Sequence, residues 1–158
     1  MGNNKRMILF VCTGNSCRSI MAEGLLKKAL KGLGKGNFEV SSAGTGARDG
    51  FTPTFETIEV MKEEGVDVSG YKSKRLTDEL INEADLILVM EAAHKEDIAI
   101  RVPEAAPKTY LLKEFGLEKT KMDPEYLGVP DPIGRPMEVY EASFNAIKRE
   151  IERIAPLL

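Results

Sequence analysis

The segment CTGNSCRS, which begins at Cys12, combines a nucleophilic side chain with one that can clamp an anion. Five residues separate Cys12 from Arg18. Within this interval Gly14, Asn15 and Ser16 tolerate the tight and left-handed turns that curl a backbone into a cup. Such a cup directs its N–H groups inwards, where they bind phosphate together with the N-terminus of the following helix. Arg18 can bind two phosphate oxygens through its planar guanidinium.

A cysteine at the base of such a cup experiences a positive potential, which favours the nucleophilic thiolate. A phosphate held above the sulfur predicts phosphoryl transfer to Cys12 and hydrolysis of the resulting cysteinyl phosphate. Ser19, just after the arginine, is expected to hydrogen-bond the sulfur. Cys17 has two interpretations: a small core residue at the helix start, or a resolving thiol that forms a disulfide with Cys12 and protects it from irreversible oxidation.

The leaving oxygen or nitrogen of a phosphorylated substrate needs a proton, and a carboxylic acid on a loop is a suitable donor. Asp123 and Asp131 each precede a proline in the long Gly- and Pro-rich stretch of residues 113–136. A stretch of this composition usually lines or covers a site. We favour Asp131 as the general acid, because it directly precedes the last helix and is therefore better anchored.

The elements that must position these residues alternate between strands and helices. Short apolar runs predict strands at residues 7–11 and 85–90, and the same alternation of elements predicts two further strands at residues 38–42 and 108–112. Helical spacing predicts helices from the loop to about residue 30, over residues 54–64, in a short element capped by Thr77, and at the C-terminal end. The pattern predicts one α/β doubly wound domain over residues 1–158, with a four-stranded parallel sheet and helices on both faces.

Composition excludes several classes of protein. The formal net charge is −3 over 158 residues, with no extended positive region of the kind that nucleic-acid binders need. No apolar run reaches the length of a membrane span, so we expect a cytoplasmic protein that does not bind membranes. His94 is the only histidine, so we expect no metal and no cofactor, and we interpret His94 as an ordinary helix-surface residue. We also expect a monomer.

Nearly the whole chain resembles the low-molecular-weight protein tyrosine phosphatases. The segment CTGNSCRS is similar to the phosphate loop of that family, VSSAGT to the end of its second strand, ADLILVM to its third strand and DPIG to its acid loop. The resemblance implies a protein phosphatase acting on phosphorylated proteins or peptides. The roles it implies are Cys12 as nucleophile, Arg18 as phosphate clamp and Asp131 as general acid, with phosphate bound by Thr13, Gly14, Asn15, Ser16, Cys17 and Arg18 and supported by Asn15, Ser19 and Ser42.

Departures from the family pattern bear on the substrate. Tyr71 stands near the place of the family's supporting histidine. Ile133 stands where an aromatic residue often follows the Asp-Pro pair, and Phe51 is the one candidate for the second aromatic wall. Ser16 occupies a loop position where tyrosine-specific members tend to carry a bulky apolar residue, whereas the related arginine phosphatases carry threonine. A small hydroxyl leaves room for a guanidinium, and a bulky side chain favours a flat ring. Phosphotyrosine is the expected substrate by family default, and phosphoarginine is the alternative.

Three other functions use the same loop. A phosphoryl-carrier subunit of similar fold would hold phosphate on its cysteine and pass it on, without needing Arg18 and Asp131. An arsenate reductase would need further cysteines, and this chain has none beyond Cys12 and Cys17. A phosphate-binding interaction module would bind phosphopeptides without turnover. The arginine and the acid favour the phosphatase.

Overall fold

A parallel four-stranded sheet forms the centre of the molecule. The structure is a computed structural model that describes residues 4–117 and 127–158. The strands are β1 (Arg6–Cys12), β2 (Phe38–Gly44), β3 (Leu86–Val89) and β4 (Thr109–Leu111), in the spatial order β2-β1-β3-β4. All three pairings are parallel. This confirms the four predicted strands, with bounds that differ by one or two residues.

Within residues 4–117 and 127–158, five α-helices connect and flank these strands. They are α1 (Arg18–Gly32), α2 (Phe55–Glu63), α3 (Asp78–Glu83), α4 (Ala92–Arg101) and α5 (Met137–Ile154). Short 3₁₀ helices cover Pro103–Lys108 and Ala155–Leu157. The predicted cap of α3 is confirmed, because the Thr77 hydroxyl accepts a hydrogen bond from the Leu80 N–H at 3.2 Å. Among the described residues, none of the helices has the length and apolar character needed to cross a bilayer.

The two faces of the sheet are buried in separate apolar clusters. Alternate residues of β1 point to opposite faces, as the pleat requires. Ile8 and Phe10 pack in a cluster that contains residues of α1, α2 and α5, whereas Leu9 and Val11 pack in a cluster that contains Ile81 of α3 and Ile98 of α4. Helices therefore cover both faces, which confirms the predicted α/β architecture. That residues 1–158 form a single domain stays a prediction.

The carboxyl ends of the strands bring distant segments together at one edge of the sheet. Cys12, the last residue of β1, is paired with Gly44 at the end of β2. On the other side of β1, the Met90 N–H that follows β3 donates to the Val11 carbonyl at 3.1 Å. Ligands of open α/β sheets bind at this edge. The loop of residues 13–17, between β1 and α1, lies there.

Candidate active site

The backbone of the loop between β1 and α1 has its carbonyl groups turned outwards. Three of its carbonyl oxygens accept hydrogen bonds from backbone N–H groups of neighbouring segments: Cys12 from Thr45 at 2.9 Å, Thr13 from Gly46 at 2.9 Å and Ser16 from Thr54 at 3.2 Å. In a trans peptide the carbonyl and the next N–H point in opposite directions. The N–H groups of Thr13, Gly14 and Cys17 are therefore directed inwards, as an anion-binding cup requires.

The Cys12 sulfur lies at the base of this cup. The residue is buried, with 2 % of its surface exposed. Its Sγ is 2.9 Å from the Ser19 hydroxyl and accepts the Asn15 N–H at 3.3 Å. The Asn15 amide donates to the Ser19 oxygen at 2.8 Å, which leaves the Ser19 hydrogen free to point at the sulfur. Two donors thus converge on Cys12.

Asn15 holds the loop in shape from inside. Its φ of 51° lies in the left-handed region, which asparagine tolerates better than most residues. Its side chain also donates to Ser42 at 2.9 Å and accepts the Lys74 N–H at 2.8 Å. The structure therefore brings together the three residues that were predicted to support the loop, namely Asn15, Ser19 and Ser42.

A buried carboxylate that the sequence analysis did not identify extends this network. Ser42 donates to Glu23 at 2.6 Å, and the second oxygen of Glu23 accepts from Lys27 at 2.6 Å. The Lys27 ammonium lies 4.9 Å from the centre of the Tyr71 ring. Burial raises the pKa of the Tyr71 hydroxyl. Tyr71, which stands near the place of the family's histidine, thus contacts the network through Lys27. The available signal for Glu23 in the sequence was its position on α1, five residues after Arg18.

Arg18, the first residue of α1, is fixed by partners from two later segments. It is 1 % exposed, and its Nη1 donates to the Glu91 carboxylate and to the Val129 carbonyl, the latter at 2.7 Å. Its Nη2 lies 3.6 Å from Asp131 Oδ2. The structure therefore brings the predicted clamp and the predicted acid together. Asp123 lies outside the described residues.

The prediction that His94 is a helix-surface residue is wrong. His94 lies on α4 but is 4 % exposed, and its Nε2 is 2.9 Å from the Thr13 hydroxyl in the loop. Its Nδ1 accepts the Glu91 N–H at 3.1 Å. Burial and the neighbouring Arg18 charge lower the pKa of His94. The sequence did contain a signal, because Glu91 and His94 have the spacing of a helix capping box directly after a buried strand.

Comparisons with known proteins agree with this geometry. The family model described as low molecular weight phosphotyrosine protein phosphatase matches residues 7–158. The chain belongs to this family. The match confirms the family expected from the sequence, and with it the class of enzyme, a cysteine-dependent protein phosphatase.

Relatives of this phosphatase include proteins named arginine phosphatases and proteins named tyrosine phosphatases. A protein-arginine-phosphatase of Geobacillus stearothermophilus is 41% identical over 152 residues, covering 96% of this chain and 95% of the relative. A probable low molecular weight protein-tyrosine-phosphatase, EpsP, of Ralstonia solanacearum is 36% identical, with 96% and 94% covered. The crystal structure of a low molecular weight protein tyrosine phosphatase from T. tengcongensis is 40% identical, with 98% and 100% covered and a TM-score of 0.86.

Cys17, the second cysteine of the phosphatase, faces a different set of groups from Cys12. It is buried and unpaired, and its sulfur lies 3.6 Å from the hydroxyls of Ser16 and Thr54 and 3.8 Å from that of Tyr140. Burial raises the pKa of Tyr140 to about 12, so this hydroxyl stays neutral. Cys17 therefore lies between the loop and α5.

The rim of the phosphatase loop carries both polar and apolar groups. Thr13 and Gly14 are exposed and Ser16 is half-buried. Large exposed apolar side chains occur on the segments that flank the loop: Phe51, Phe55 and Ile133. The first two lie on either side of Thr54, whose N–H binds the Ser16 carbonyl, and Ile133 follows Asp131 and donates its N–H to that carboxylate at 3.1 Å.

Gly44 allows the close approach of β2 to the phosphatase loop. A Cβ at this position would lie against the Thr13 carbonyl oxygen and 2.9 Å from the Asn15 nitrogen. We expect Gly44→Ala to displace the loop and to lower kcat/KM on p-nitrophenyl phosphate by about 100-fold, equivalent to about 3 kcal/mol. Gly46→Ala is the matched control, because its Cβ would be 3.7 Å from the nearest atom and its N–H bond to Thr13 is retained. Equal activity of the two variants contradicts the prediction.

Proposed function

We propose that this phosphatase hydrolyses phosphorylated protein side chains through a cysteinyl phosphate formed on Cys12. The observation that carries the proposal is the buried Cys12 sulfur, which accepts the Asn15 N–H and contacts the Ser19 hydroxyl at the base of the loop. The donors around it favour the thiolate. The same donors bind the oxygens of a phosphoryl group placed above the sulfur.

In the first step the Cys12 thiolate attacks phosphorus in line with the leaving group. The S–P bond forms, the bond from phosphorus to the substrate oxygen or nitrogen breaks, and Asp131 gives its proton to that leaving atom. Arg18 neutralises charge on the phosphoryl oxygens through Nε and Nη2, while Nη1 stays with Glu91 and Val129. The side chain of Asp131 is 39% exposed and lies beside Arg18, which suits an acid that must meet substrate.

In the second step water attacks phosphorus and the S–P bond breaks. Asp131, now a carboxylate, accepts the proton of the attacking water, and inorganic phosphate leaves. The Ser19 hydroxyl donates to the thiolate as its charge returns, which stabilises sulfur as the leaving group. Asn15 and Ser42 keep Ser19 and the loop in place.

Phosphotyrosine is the first substrate class that we propose. Phe51, Phe55 and Ile133 offer exposed apolar surface on the segments next to the loop, where an aromatic ring would pack. Asp131 precedes Ile133 and would reach the phenolic oxygen. The partners of the phosphatase would then be proteins or peptides that carry phosphotyrosine.

Phosphoarginine is the second candidate, favoured by Ser16. Its small, half-buried hydroxyl leaves space at the loop that a guanidinium could fill with a hydrogen bond. The relative from Geobacillus stearothermophilus that carries the name protein-arginine-phosphatase supports this candidate. The mechanism on Cys12 would be the same, with nitrogen as the leaving atom.

A comparison of two phosphopeptides tests the proposal and separates the candidates. We expect hydrolysis of both, with the higher kcat/KM on phosphotyrosine, and we expect Ser16→Ile to shift the ratio further towards phosphotyrosine by about tenfold. Ser16→Thr retains the hydroxyl and is the matched control. A ratio that favours phosphoarginine selects the second candidate, and an unchanged ratio in Ser16→Ile removes Ser16 as the selector. Absence of turnover on both peptides contradicts the proposed function.

Several expectations from the sequence stay predictions. They are a monomeric, cytoplasmic protein, no metal or cofactor, and no binding of nucleic acid or membranes. One of the two interpretations of Cys17, a disulfide with Cys12 that protects the nucleophile, also stays untested. The position of Cys17 in the same loop is compatible with a resolving role and with a packing role. Both interpretations of Cys17 are therefore retained.

A further inference from the structure

The hydrogen bonds of His94 define where its proton lies. A backbone N–H is always a donor, so the Glu91 N–H at 3.1 Å requires an unprotonated Nδ1. The neutral ring then carries its hydrogen on Nε2, which donates to the Thr13 hydroxyl at 2.9 Å. The imidazole therefore connects the first turn of α4 with Thr13, the residue that follows Cys12.

Both ends of the phosphate loop are held by the start of this helix. Thr13, next to Cys12, is held through His94, and Arg18, at the other end, is held through the Glu91 carboxylate. The Thr13 carbonyl is also bound by the Gly46 N–H, so Thr13 has partners on two sides. These contacts determine the direction of the N–H groups that would receive phosphate.

We propose that His94, as a neutral imidazole bound to Thr13, is a positioning residue for the phosphate loop. It does not touch the substrate. It keeps the first inward N–H groups aligned with the Cys12 sulfur, so that they meet the phosphoryl oxygens without rearrangement. The proposal deepens the proposed function and rests on it.

Protonation of His94 would remove this contact. The charged groups that face the ring are Arg18 from α1, Asp131 from the segment before α5, and Glu91 and Asp97 from the region of α4. Burial and Arg18 oppose the charged form more strongly than the three carboxylates favour it, so the pKa of His94 is lowered from 6.5. Below that pKa, Nδ1 carries a proton and can no longer accept the Glu91 N–H, so the ring must move.

A double-mutant cycle tests the contact. In His94→Asn the amide oxygen takes the place of Nδ1 and still accepts the Glu91 N–H, but the side chain is too short to reach Thr13. Thr13→Val replaces the hydroxyl by a methyl group of similar size. We expect each variant to lower kcat/KM on p-nitrophenyl phosphate by about tenfold and the double variant to lose no more than either single variant. Effects that multiply in the double variant, or no effect of His94→Asn, contradict the proposal.

A conservative variant and the pH profile exclude a purely structural role. In His94→Gln the amide nitrogen can take the place of Nε2, so we expect it to recover most of the activity that His94→Asn loses. The advantage of the wild type over His94→Asn should shrink as the pH falls through the lowered pKa of His94, because only the wild type then protonates this position. Equal activity of the Asn and Gln variants, or an advantage independent of pH, contradicts the proposal. Ile98→Val, a packing change one turn further along the same face of α4, controls for loss of stability.

Binding of inorganic phosphate, measured by titration calorimetry, separates this proposal from the proposed function. We expect His94→Asn to weaken phosphate binding by about fivefold, whatever the substrate of the wild type. Unchanged phosphate affinity contradicts the positioning role. Failure of the proposed function would show itself differently, as full turnover by a variant that lacks the Cys12 sulfur.

Discussion

Cys12→Ser is expected to abolish turnover while the loop still binds phosphate. A serine hydroxyl is not ionised near neutral pH, so the attack on phosphorus loses its nucleophile and kcat should fall at least about 10⁴-fold. The N–H groups that bind the anion belong to the backbone, and the substitution leaves them in place. The measurement is phosphate release from p-nitrophenyl phosphate at high enzyme concentration, together with calorimetric binding of inorganic phosphate.

Cys17→Ser is the matched control for this prediction. It makes the same atomic change in the same loop, at a sulfur that contacts Ser16, Thr54 and Tyr140. Under reducing conditions we expect it to lose less than about tenfold in kcat, because only its backbone N–H faces the anion. A Cys12→Ser variant that turns over as fast as Cys17→Ser would show that the nucleophile has been misassigned.

Arg18→Lys is expected to lower kcat/KM by about 10³-fold although the positive charge is retained. A lysine ammonium is a point charge without the planar fork, so it cannot bind two phosphoryl oxygens while also satisfying Glu91 and Val129. Both partners would be left with poorer hydrogen bonds, and the Val129 carbonyl is buried. The variant is measured by kcat/KM on p-nitrophenyl phosphate and by phosphate affinity, and we expect both to fall.

Arg101→Lys is the matched control for Arg18→Lys. Arg101 also binds a carbonyl, that of Leu76 at 2.9 Å, and two carboxylates, those of Asp78 and Asp97, but it lies on the last turn of α4. Its replacement should change the melting temperature and leave kcat/KM within about twofold. A loss of less than tenfold in Arg18→Lys, or an equal loss in Arg101→Lys, would remove Arg18 as a specific clamp.

The loop and its support could be predicted because their signals are local. Cys12, Asn15, Ser19 and Arg18 lie within one strand-loop-helix unit, where residue type and spacing decide the conformation. Ser42 followed from the resemblance at the end of β2. The two central strands were predictable for the same reason, since β1 and β3 are short apolar runs that are buried on both faces.

The partners from α4 could not be predicted in the same way. Glu91 and His94 are more than 70 residues from the loop, and their contact depends on the pairing of β3 beside β1, which places Met90 next to Val11. A lone histidine in a polar helical segment favours a surface position on composition alone. His94 lies next to Thr13 because the register of the sheet places the start of α4 beside the loop.

The network around Tyr71 shows a further limit of sequence reasoning. The absence of the family histidine indicated a missing or altered support for the loop. The structure shows the buried Glu23 bound to Ser42, with Lys27 as its cation and Tyr71 packed on that cation. These contacts between residues of α1, β2 and the segment of Tyr71 are visible only in three dimensions.

The most direct test of the account is detection of the covalent intermediate. The wild-type protein is mixed with p-nitrophenyl phosphate, quenched with acid within the first turnover and digested, and the peptide that contains Cys12 is analysed by mass spectrometry. We predict one phosphoryl group on the Cys12 sulfur, formed as fast as p-nitrophenol is released and lost as fast as inorganic phosphate appears. Release of phosphate with no phosphorylated Cys12 at any quench time, or a phosphoryl group on another residue, would contradict the central claim.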